Sequence, residues 1–284
     1  MTNDRTILIA GVTGHQGGAV ARALQTGGFR LRGLTRKPES EQAAAVARIG
    51  VNVVKGDFDD EATLRRALAG AWGVFGVQNT WEAGVEREET QGKRLATLAR
   101  EAGVEHYVYS SVGSAHKRTG VPHFDNKWRI EEAVRALEFP SHVILRPVFF
   151  MENLVAPYSL QGDTLSSALA PTTKLQMIAV DDIGWFGARA FTHAAALNGR
   201  ALDIAGDART MPEAAAILAA ALRRPITFTQ TSIDQVRQYS EDTALMLEWF
   251  ERVGYDADIP GLEREFGRSL TTLPDWADRH ARTS

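Results

Sequence analysis

Residues 11–18 read GVTGHQGG, and this stretch decides how the first half of the chain is interpreted. The preceding run RTILIAG, residues 5–11, is apolar and β-branched and predicts a strand. The following run QGGAVARALQTGG, residues 16–28, carries apolar residues at helical spacing. Gly27 and Gly28 are expected to end this helix, because glycine favours the conformation at a helix C-terminus. The glycine-rich stretch therefore connects a strand to the start of a helix.

Gly11, Gly14 and Gly17 give this turn the spacing G-x-x-G-x-x-G. Gly11 allows a tight turn, Gly14 lets the backbone approach a pyrophosphate, and Gly17 lets the helix pack closely on the strand. The free amides and the positive dipole end of the helix favour a phosphate group there. Glycines also collect in ordinary turns, so a purely structural role is the alternative. The strand–turn–helix context favours dinucleotide binding.

Strand-like and helix-like runs alternate over the first half of the chain. The strand-like runs are RTILIAG (5–11), FRLRGLT (29–35), VNVVKGD (51–57), AWGVFGVQN (71–79), HYVYSSV (106–112) and SHVILRP (141–147). The helix-like runs are residues 16–28, 40–50 with Ser40 as N-cap, 60–70, 86–102 and 124–137. Near-continuous apolar strands separated by helices predict a doubly wound parallel Rossmann sheet, an α/β fold.

The pattern changes after Pro147. Residues 147–176 are rich in loops, residues 181–194 predict a helix, and residues 200–206 predict a strand. A helix over residues 211–222, with Pro212 near its start, and a strand over 225–232 follow. We expect a cofactor-binding domain over residues 1–150 and a smaller, partly helical substrate-side region over 151–284. Residues 176–206 are expected to return to the sheet of the first domain.

The composition is that of an ordinary soluble enzyme. The chain has 284 residues, a formal net charge of −3 and no cysteine, which excludes disulfides and thiolate chemistry. Mixed charges argue against direct nucleic-acid binding, and no H-E-x-x-H spacing or other metal motif occurs. The first ten residues lack the apolar stretch of a signal peptide, and no apolar run is long enough for a membrane helix. A cytoplasmic protein without a membrane partner is expected.

The end of the second predicted strand indicates the cofactor. NAD enzymes place an acid about 20 residues after the glycine turn to bind the ribose hydroxyls. Here the sequence reads LTRKPES, with Arg36 and Lys37 at that point. A guanidinium and an ammonium suit a 2′-phosphate, so NADP(H) is favoured over NAD(H). The alternative is that these two bases are simply solvated in a loop.

The chain resembles the NmrA-like family of atypical short-chain dehydrogenases. The resemblance covers most of the chain and rests on GVTGHQGG, RGLTRKP, VVKGDFDD, GVFGVQNTWE, QGKRLATLAREAGVEHYVYSS, HFDNKW and RPVFFMENL. Together these motifs are specific, whereas any one alone is not. The family includes NADPH-sensor proteins and small bacterial reductases of aromatic or quinone-like compounds, so the resemblance implies one of these two functions.

The resemblance also implies a set of cofactor contacts. Asp57 and Phe58 are expected beside the adenine, Gln78, Asn79 and Thr80 along the cofactor, Lys127 at the nicotinamide ribose, and Phe149, Glu152 and Asn153 near the nicotinamide. With the glycine turn and the two bases, the expected cofactor-binding residues are Gly11, Thr13, Gly14, Gln16, Gly17, Arg36, Lys37, Asp57, Phe58, Gln78, Asn79, Lys127, Phe149 and Asn153. Structural alternatives are a helix cap for Asp57 or Asn153, a turn for Asn79, and a core position for Phe149.

The stretch VPHFDNKWRIE, residues 121–131, bears on catalysis. Most members of the superfamily place a proton-donating tyrosine four residues before the lysine that corresponds to Lys127. That position is His123 here, and no lysine of this chain has a tyrosine four residues before it. His123 is a candidate acid because imidazole titrates near neutral pH, but we favour a loop histidine that precedes the helix. Ser110 or Ser111 could orient a carbonyl or simply end a strand.

Two functions remain open at this stage. The first is an NADPH-dependent reductase of a conjugated, quinone-like or dye-like molecule, with Lys127, His123 and Ser111 as its candidate catalytic residues. Such acceptors need no protein acid, whereas a ketone or alcohol substrate is disfavoured. The second is a sensor whose NADP(H) occupancy regulates a protein partner. The missing tyrosine favours the sensor, and the aromatic stretch after Pro147 favours the enzyme.

Overall fold

The computed structural model describes residues 4–280 and divides into two compact units. The first unit comprises the residues up to Ala115 together with His123–Arg146 and Ile183–Leu202. The second comprises His116–Pro122, Pro147–Asp182 and the residues from Asp203 onward. Each unit is therefore built from segments that are not contiguous in the sequence.

The first unit is organised around a seven-stranded sheet with the strand order β11-β6-β5-β4-β1-β2-β3. Its strands are β1 (Thr6–Ile9), β2 (Arg30–Thr35), β3 (Asn52–Lys55), β4 (Gly73–Gly76), β5 (His106–Ser110), β6 (Ser141–Pro147) and the edge strand β11 (Ala201–Ile204). The five pairs from β3 to β6 are all parallel. The chain adds β2 and β3 on one side of β1 and then β4 to β6 on the other side. The boundary between β1 and β4 is therefore the switch point, which is where doubly wound sheets bind ligands.

Helices cover this sheet. They are α1 (His15–Leu24), α2 (Glu41–Arg48), α3 (Glu61–Leu68), the single turn α4 (Thr80–Ala83), α5 (Val85–Glu101), α6 (Pro122–Ala136), α7 (Val180–Thr192) and α8 (Ala194–Leu197). One core cluster joins β1, β4 and β5 to α3, α5 and α6 through residues such as Leu8, Val74, Leu95 and Ile130. The buried residues of α5, from Glu88 to Ala99, recur every three or four positions and so form one face of this charged helix.

The second unit contains two small sheets, with strand orders β12-β10-β7 and β13-β9-β8. Their strands are β7 (Phe149–Phe150), β8 (Leu160–Gln161), β9 (Thr164–Ser167), β10 (Leu175–Ile178), β12 (Asp207–Arg209) and β13 (Thr227–Gln230). The helices are α9 (Met211–Leu222), α10 (Ile233–Tyr239), α11 (Glu241–Arg252), α12 (Ile259–Phe266) and α13 (Leu273–His280). Thr210 and Glu213 form a capping box at the start of α9, where Pro212 also lies.

The predicted Rossmann sheet is confirmed, and Ser40 caps α2 as predicted. Two local predictions are wrong. Helix α1 ends at Leu24 with Gln25 as its C-cap, so Gly27 and Gly28 lie in the following turn instead of capping the helix. His123 does not precede its helix, because α6 already begins at Pro122. Proline fits the first turn of a helix, where the missing N–H would have no helical partner.

Candidate functional site

Five parallel strands end at one edge of the central sheet, and most of the predicted site residues follow those ends. Gly11 follows β1, Arg36 follows β2, Asp57 follows β3, Gln78 follows β4, and Ser111 follows β5. Because β1 and β4 flank the switch point, a crevice is expected where the glycine turn and the Gln78 segment leave the sheet. The topology therefore brings these residues to a common edge.

The glycine turn has an open helix start. Gly11 has a φ of +59°, which glycine adopts without strain, and its carbonyl accepts a hydrogen bond of 2.9 Å from the amide of Gly14. Gly14 is the N-cap of α1 and offers no side chain to the first helical amides. Thr13 is half-buried within the same turn. The first amides of α1 are thus left to a ligand or solvent.

Gly14 and Gly17 differ in the space that surrounds them. A Cβ atom on Gly17 would lie 2.3 Å from the carbonyl oxygen of Gly11 and 2.6 Å from that of Ala10. Only glycine lets α1 pack this closely on the end of β1. A Cβ atom on Gly14 would lie 3.4 Å from its nearest neighbour, which is an ordinary contact. The protein itself therefore tolerates a side chain at Gly14, and the open space there is available to a ligand.

The two bases after β2 are exposed. The backbone amide of Lys37 donates to Thr35 Oγ1 at 3.2 Å, which fixes the start of the loop. The guanidinium of Arg36 donates to the carboxylate of Glu82 in α4. The side chains of this ion pair are 57% and 53% exposed, so either partner can move without unfolding its surroundings. Arg36 is thus a surface cation with a replaceable partner.

Asp57 and Phe58 follow β3. The carboxylate of Asp57 accepts a hydrogen bond of 3.0 Å from the amide of Asp59, while Asp60 is the residue that caps α3. The alternative role of Asp57 as a helix cap is therefore wrong. Phe58 packs partly buried against the core, and its carbonyl accepts a bond of 2.8 Å from Arg94.

Gln78 and Asn79 follow β4. Gln78 is 6% exposed, and among the described residues neither polar atom of its side chain has a hydrogen-bond partner. The side chain of Asn79 accepts a bond of 3.1 Å from the amide of Trp81 and so caps α4. Asn79 is thus a helix cap, whereas the structural alternative considered from the sequence was a turn. Buried amides without partners are uncommon, and the hydrogen-bonding capacity of Gln78 is unused within the described residues.

Lys127 belongs to a buried network. Its ammonium donates to Glu88 of α5, a carboxylate with no exposed surface. The same carboxylate accepts a bond from the Thr80 hydroxyl and one of 2.9 Å from Asn126 Nδ2. Burial alone would raise the pKa of Glu88, but Lys127 and these hydrogen bonds outweigh it and lower the pKa below its ordinary value. Glu88 is therefore a buried anion that holds the lysine in place.

Sequence reasoning missed Glu88. The sequence held one signal, because Glu88 lies seven residues before the apolar Leu95 and so on the same face of the helix, and the structure shows both residues buried. An acid at such a position of a buried stripe predicts an internal cationic partner. Its identity as Lys127, 39 residues further on, required the tertiary structure.

His123 lies in the first turn of α6 and is 6% exposed. Its ring centre is 5.1 Å from that of Trp81 and 4.7 Å from that of Phe124, with the latter ring edge-on. These contacts place the imidazole in an aromatic setting next to α4. The loop position that we favoured for His123 is therefore wrong, while its role in chemistry is a separate matter.

Ser110 and Ser111 differ in their contacts. The hydroxyl of Ser110, the last residue of β5, donates to Gln16 Oε1 of α1 at 2.5 Å. The Ser111 hydroxyl is buried and has no hydrogen-bond partner among residues 4–280. Gln16 and Ser110 are thus brought together, whereas Ser111 retains an uncommitted hydroxyl group.

Three predicted residues lie in the second unit. Phe149 is half-buried in β7, which pairs with β10. Asn153 accepts a bond of 2.9 Å from the Tyr158 hydroxyl and is not an N-cap, since its short 3₁₀ helix is preceded by Phe150. Glu152 accepts bonds of 3.0 Å from the Val180 amide and from Trp276 Nε1. Glu152 therefore connects three segments of its own unit.

The residues of the first unit fit a nicotinamide dinucleotide on structural grounds. The space at Gly14, the uncapped start of α1, the unpartnered Gln78 side chain and the cations Arg36 and Lys127 match the polar groups of such a molecule. No group of three His, Asp or Glu residues within positions 4–280 is arranged to bind a metal ion. In the same range, no helix is both long and apolar enough to cross a membrane.

The fold and the glycine turn define a Rossmann-type α/β protein. The chain belongs to the NmrA-like family, whose family model matches residues 3–280. A (4-alkanoyl-5-oxo-2,5-dihydrofuran-3-yl)methyl phosphate reductase of Streptomyces griseus is 30% identical over 293 residues, covering 97% of this chain and 98% of the relative. The chain also spans 48% of the length of an NmrA-like family domain-containing oxidoreductase of Cladobotryum sp., at 34% identity.

Two solved structures share the fold over almost the whole chain. The triphenylmethane reductase of Citrobacter sp., in complex with NADP(H), has a TM-score of 0.79 at 18% identity, covering 97% of this chain and 99% of that chain. NmrA, a negative transcriptional regulator solved with NADP, has a TM-score of 0.81 at 18% identity, covering 99% and 96% of the two chains. The fold is thus shared by a reductase and by a regulator.

Proposed function

We propose that this chain binds NADP(H) on the glycine turn and reduces a hydrophobic, conjugated small molecule. The observation that carries the binding proposal is the turn between β1 and α1. There Gly14 leaves open space over an uncapped helix start, while Gly17 keeps the helix close to the strand. A pyrophosphate placed on this turn would accept bonds from the backbone amides and benefit from the helix dipole.

The contacts along the cofactor follow the order of the strand ends. Gly11, Thr13, Gly14, Gln16 and Gly17 would bind the pyrophosphate segment. Arg36 and Lys37 would bind the 2′-phosphate, for which a planar guanidinium fork is well suited. Asp57 and Phe58 would border the adenine, Gln78 and Asn79 would lie along the cofactor, and Lys127 would bind the nicotinamide ribose. The family resemblance implies Phe149 and Asn153 at the nicotinamide end.

The residues around Lys127 favour an acceptor that needs no protein acid. The position four residues before Lys127 is His123 instead of a tyrosine, and the lysine itself is paired with Glu88. Ser110 is likewise engaged with Gln16. When bound, NADPH supplies a hydride, the two-electron donor that the chemistry requires. On a neutral quinone-like acceptor the negative charge left by that hydride is delocalised, and the anion takes its proton from water. A cationic dye becomes neutral on accepting the hydride and needs no proton.

Two relatives support this substrate class. The Streptomyces griseus reductase is named for the phosphate ester of an unsaturated lactone that carries an alkanoyl group, and the Citrobacter enzyme is named for triphenylmethane reduction. The unsaturated lactone supports a conjugated acceptor, and the triphenylmethane name supports an aromatic one. The protein would contribute by orienting the acceptor and excluding competing reactions.

The second candidate function is an NADP(H) sensor that regulates a protein partner. The observation that favours it is the internal engagement of Lys127 by Glu88 and of Ser110 by Gln16, which leaves few polar groups for chemistry. The regulator NmrA has the same fold and was solved with NADP. A sensor would bind the cofactor tightly but turn over no acceptor.

The test has two stages. Calorimetric titration of the full chain with NADPH and NADH comes first, with Gly14→Val as the variant that should not bind. NADPH oxidation is then followed with a quinone, a triphenylmethane dye, an unsaturated lactone and a saturated ketone. We expect turnover of at least one conjugated acceptor and none of the ketone. Tight binding without turnover of any acceptor would favour the sensor, and absence of cofactor binding would refute both candidates.

A further inference from the structure

The ion pair between Arg36 and Glu82 has a consequence for cofactor choice, given the proposed function. Arg36 is the residue that would bind the 2′-phosphate, and its guanidinium already donates to a carboxylate. Glu82 lies in α4, just after the strand end that carries Gln78. The Glu82 carboxylate therefore accepts a hydrogen bond from the same guanidinium that would bind the 2′-phosphate, the group by which NADP(H) differs from NAD(H).

We propose that Glu82 is a specificity-determining residue that competes with the 2′-phosphate for Arg36. This competition lowers the affinity for NADP(H) and so reduces the ratio of the NADP(H) affinity to the NAD(H) affinity. A phosphate monoester carries about −1.5 to −2 charges at pH 7. It must displace Glu82 from the guanidinium or lie next to it at an electrostatic cost. NAD(H) has only a hydroxyl group at this position and leaves the Arg36–Glu82 pair intact.

The backbone of α4 is held in place while the Glu82 side chain is free to turn. Asn79 caps the start of α4, and Thr80 is anchored to the buried Glu88. Glu82 itself is more than half exposed. Displacement by a phosphate would thus break the Arg36–Glu82 ion pair without moving the α4 backbone, and it would leave the Thr80–Glu88 contact unchanged.

The expected effect is small and selective. Exposed ion pairs contribute little, so removing the charge of Glu82 should raise NADPH affinity about two- to fivefold. Affinity for NADH should stay within about 1.5-fold, because its hydroxyl group does not compete for Arg36. The gain should shrink at high salt, where interactions between exposed charges are screened.

The test is calorimetric titration of wild type, Glu82→Gln, Arg36→Ala and the double variant with NADPH and with NADH, at about 0.05 M and about 0.5 M salt. Glu86→Gln is the matched control, since it removes one exposed negative charge four residues away. We expect tighter NADPH binding only in Glu82→Gln, and we expect most of this gain to vanish in the Arg36→Ala background.

Three results would overturn the inference. They are an equal gain for NADH, an equal gain in Glu86→Gln, or no gain in Glu82→Gln although NADPH binding still depends on Arg36. In each case the proposed cofactor site would stand, because NADPH would still bind through Arg36. If wild type binds neither cofactor, the proposed function and this inference both fail.

Discussion

The ammonium of Lys127 is paired with Glu88, a carboxylate that has no exposed surface. The lysine is itself only 12% exposed, so the pair lies largely outside solvent. In a short-chain dehydrogenase with a tyrosine, the lysine lowers the tyrosine pKa. Here the lysine is instead paired with a buried carboxylate, in keeping with the proposal that it binds the cofactor and takes no part in acid–base chemistry.

Replacing Glu88 by Gln should destabilise the fold. The substitution leaves Lys127 without its counter-charge in a buried place, and breaking such a pair costs about 3–5 kcal/mol. Because Lys127 retains some exposure, we expect a loss of about 3 kcal/mol in the free energy of unfolding at pH 7. Urea denaturation followed by circular dichroism measures it. The control is the exposed pair between Arg65 of α3 and Glu101, which lies in α5 like Glu88, and Glu101→Gln should change stability little.

The difference in the free energy of unfolding between wild type and Glu88→Gln should decrease as the pH falls. The pKa of Glu88 is lower in the folded chain than its ordinary value of 4.5. A carboxyl group with a lowered pKa stabilises the fold above its unfolded pKa and loses that contribution as the pH falls. The gap between wild type and Glu88→Gln should thus be constant from about pH 6 to 8 and shrink below about pH 4.5. A gap that widens in acid would contradict this assignment.

The sequence predicted the sheet and the glycine turn well because both depend on local patterns. Apolar strands, such as the one that includes Ile7, alternate along the chain with segments of helical periodicity. The spacing of the glycines predicts the turn between the first strand and the first helix. His123 was misplaced because Pro122 was interpreted as a loop residue, although proline also fits the first turn of a helix. The two-residue strands β7 and β8 are too short to show a period of two.

The candidate site was predictable only in part. Residues that follow strand ends, such as Arg36 and Gln78, could be identified from the parallel topology. The partners of these residues could not, since Glu82 lies 46 residues after Arg36 and Glu88 lies 39 residues before Lys127. Such pairs depend on how α4 and α5 pack on the sheet, which no local pattern specifies.

Gly14 and Gly17 should respond differently to substitution. Gly14→Val should abolish NADPH binding with the fold retained, because a Cβ atom there meets only an ordinary contact at 3.4 Å. Gly17→Val should lower the melting temperature markedly, since its Cβ atom would lie 2.3 Å from a backbone oxygen. Thermal unfolding and calorimetric titration of both variants test this. Undiminished NADPH binding by a folded Gly14→Val variant would show that the turn does not bind the pyrophosphate.

Arg36→Ala should weaken NADPH binding about ten- to hundredfold, the value of one charge-assisted hydrogen bond of 1.5–3 kcal/mol. NADH affinity should change little, because the residue faces the 2′-phosphate in the proposed complex. Arg48→Ala, which removes an exposed arginine from the end of α2, is the control for loss of positive charge. Equal loss for NADPH and NADH would mean that Arg36 serves the fold or the shared part of the cofactor.

His123 and Lys127 should have separable roles. His123→Ala removes the ring contacts to Trp81 and Phe124 and should cost some stability, but NADPH affinity should stay within a few-fold of wild type. Lys127→Met should weaken NADPH and NADH equally, by about ten- to hundredfold, because both cofactors share the nicotinamide ribose.

Stability must be separated from binding in the lysine variant, since Lys127→Met leaves the Glu88 carboxylate buried and unpaired. The double variant Glu88→Gln with Lys127→Met removes both charges, so its free energy of unfolding should lie closer to wild type than that of Lys127→Met alone. Its affinity for both cofactors should remain as weak as that of the single lysine variant. Restored affinity in the double variant would mean that the lysine acts only through stability.

His123 is tested by its effect on the rate of whichever acceptor is reduced. We expect His123→Ala to lower that rate by less than the roughly 10²–10⁴-fold typical of losing a positioned acid. The reason is that a conjugated acceptor takes its proton from water, so no protein group has to supply one. A loss of about 10³-fold with an unchanged Kd for NADPH would make His123 the acid. The protein would then be a carbonyl reductase in which histidine takes the place of the usual tyrosine.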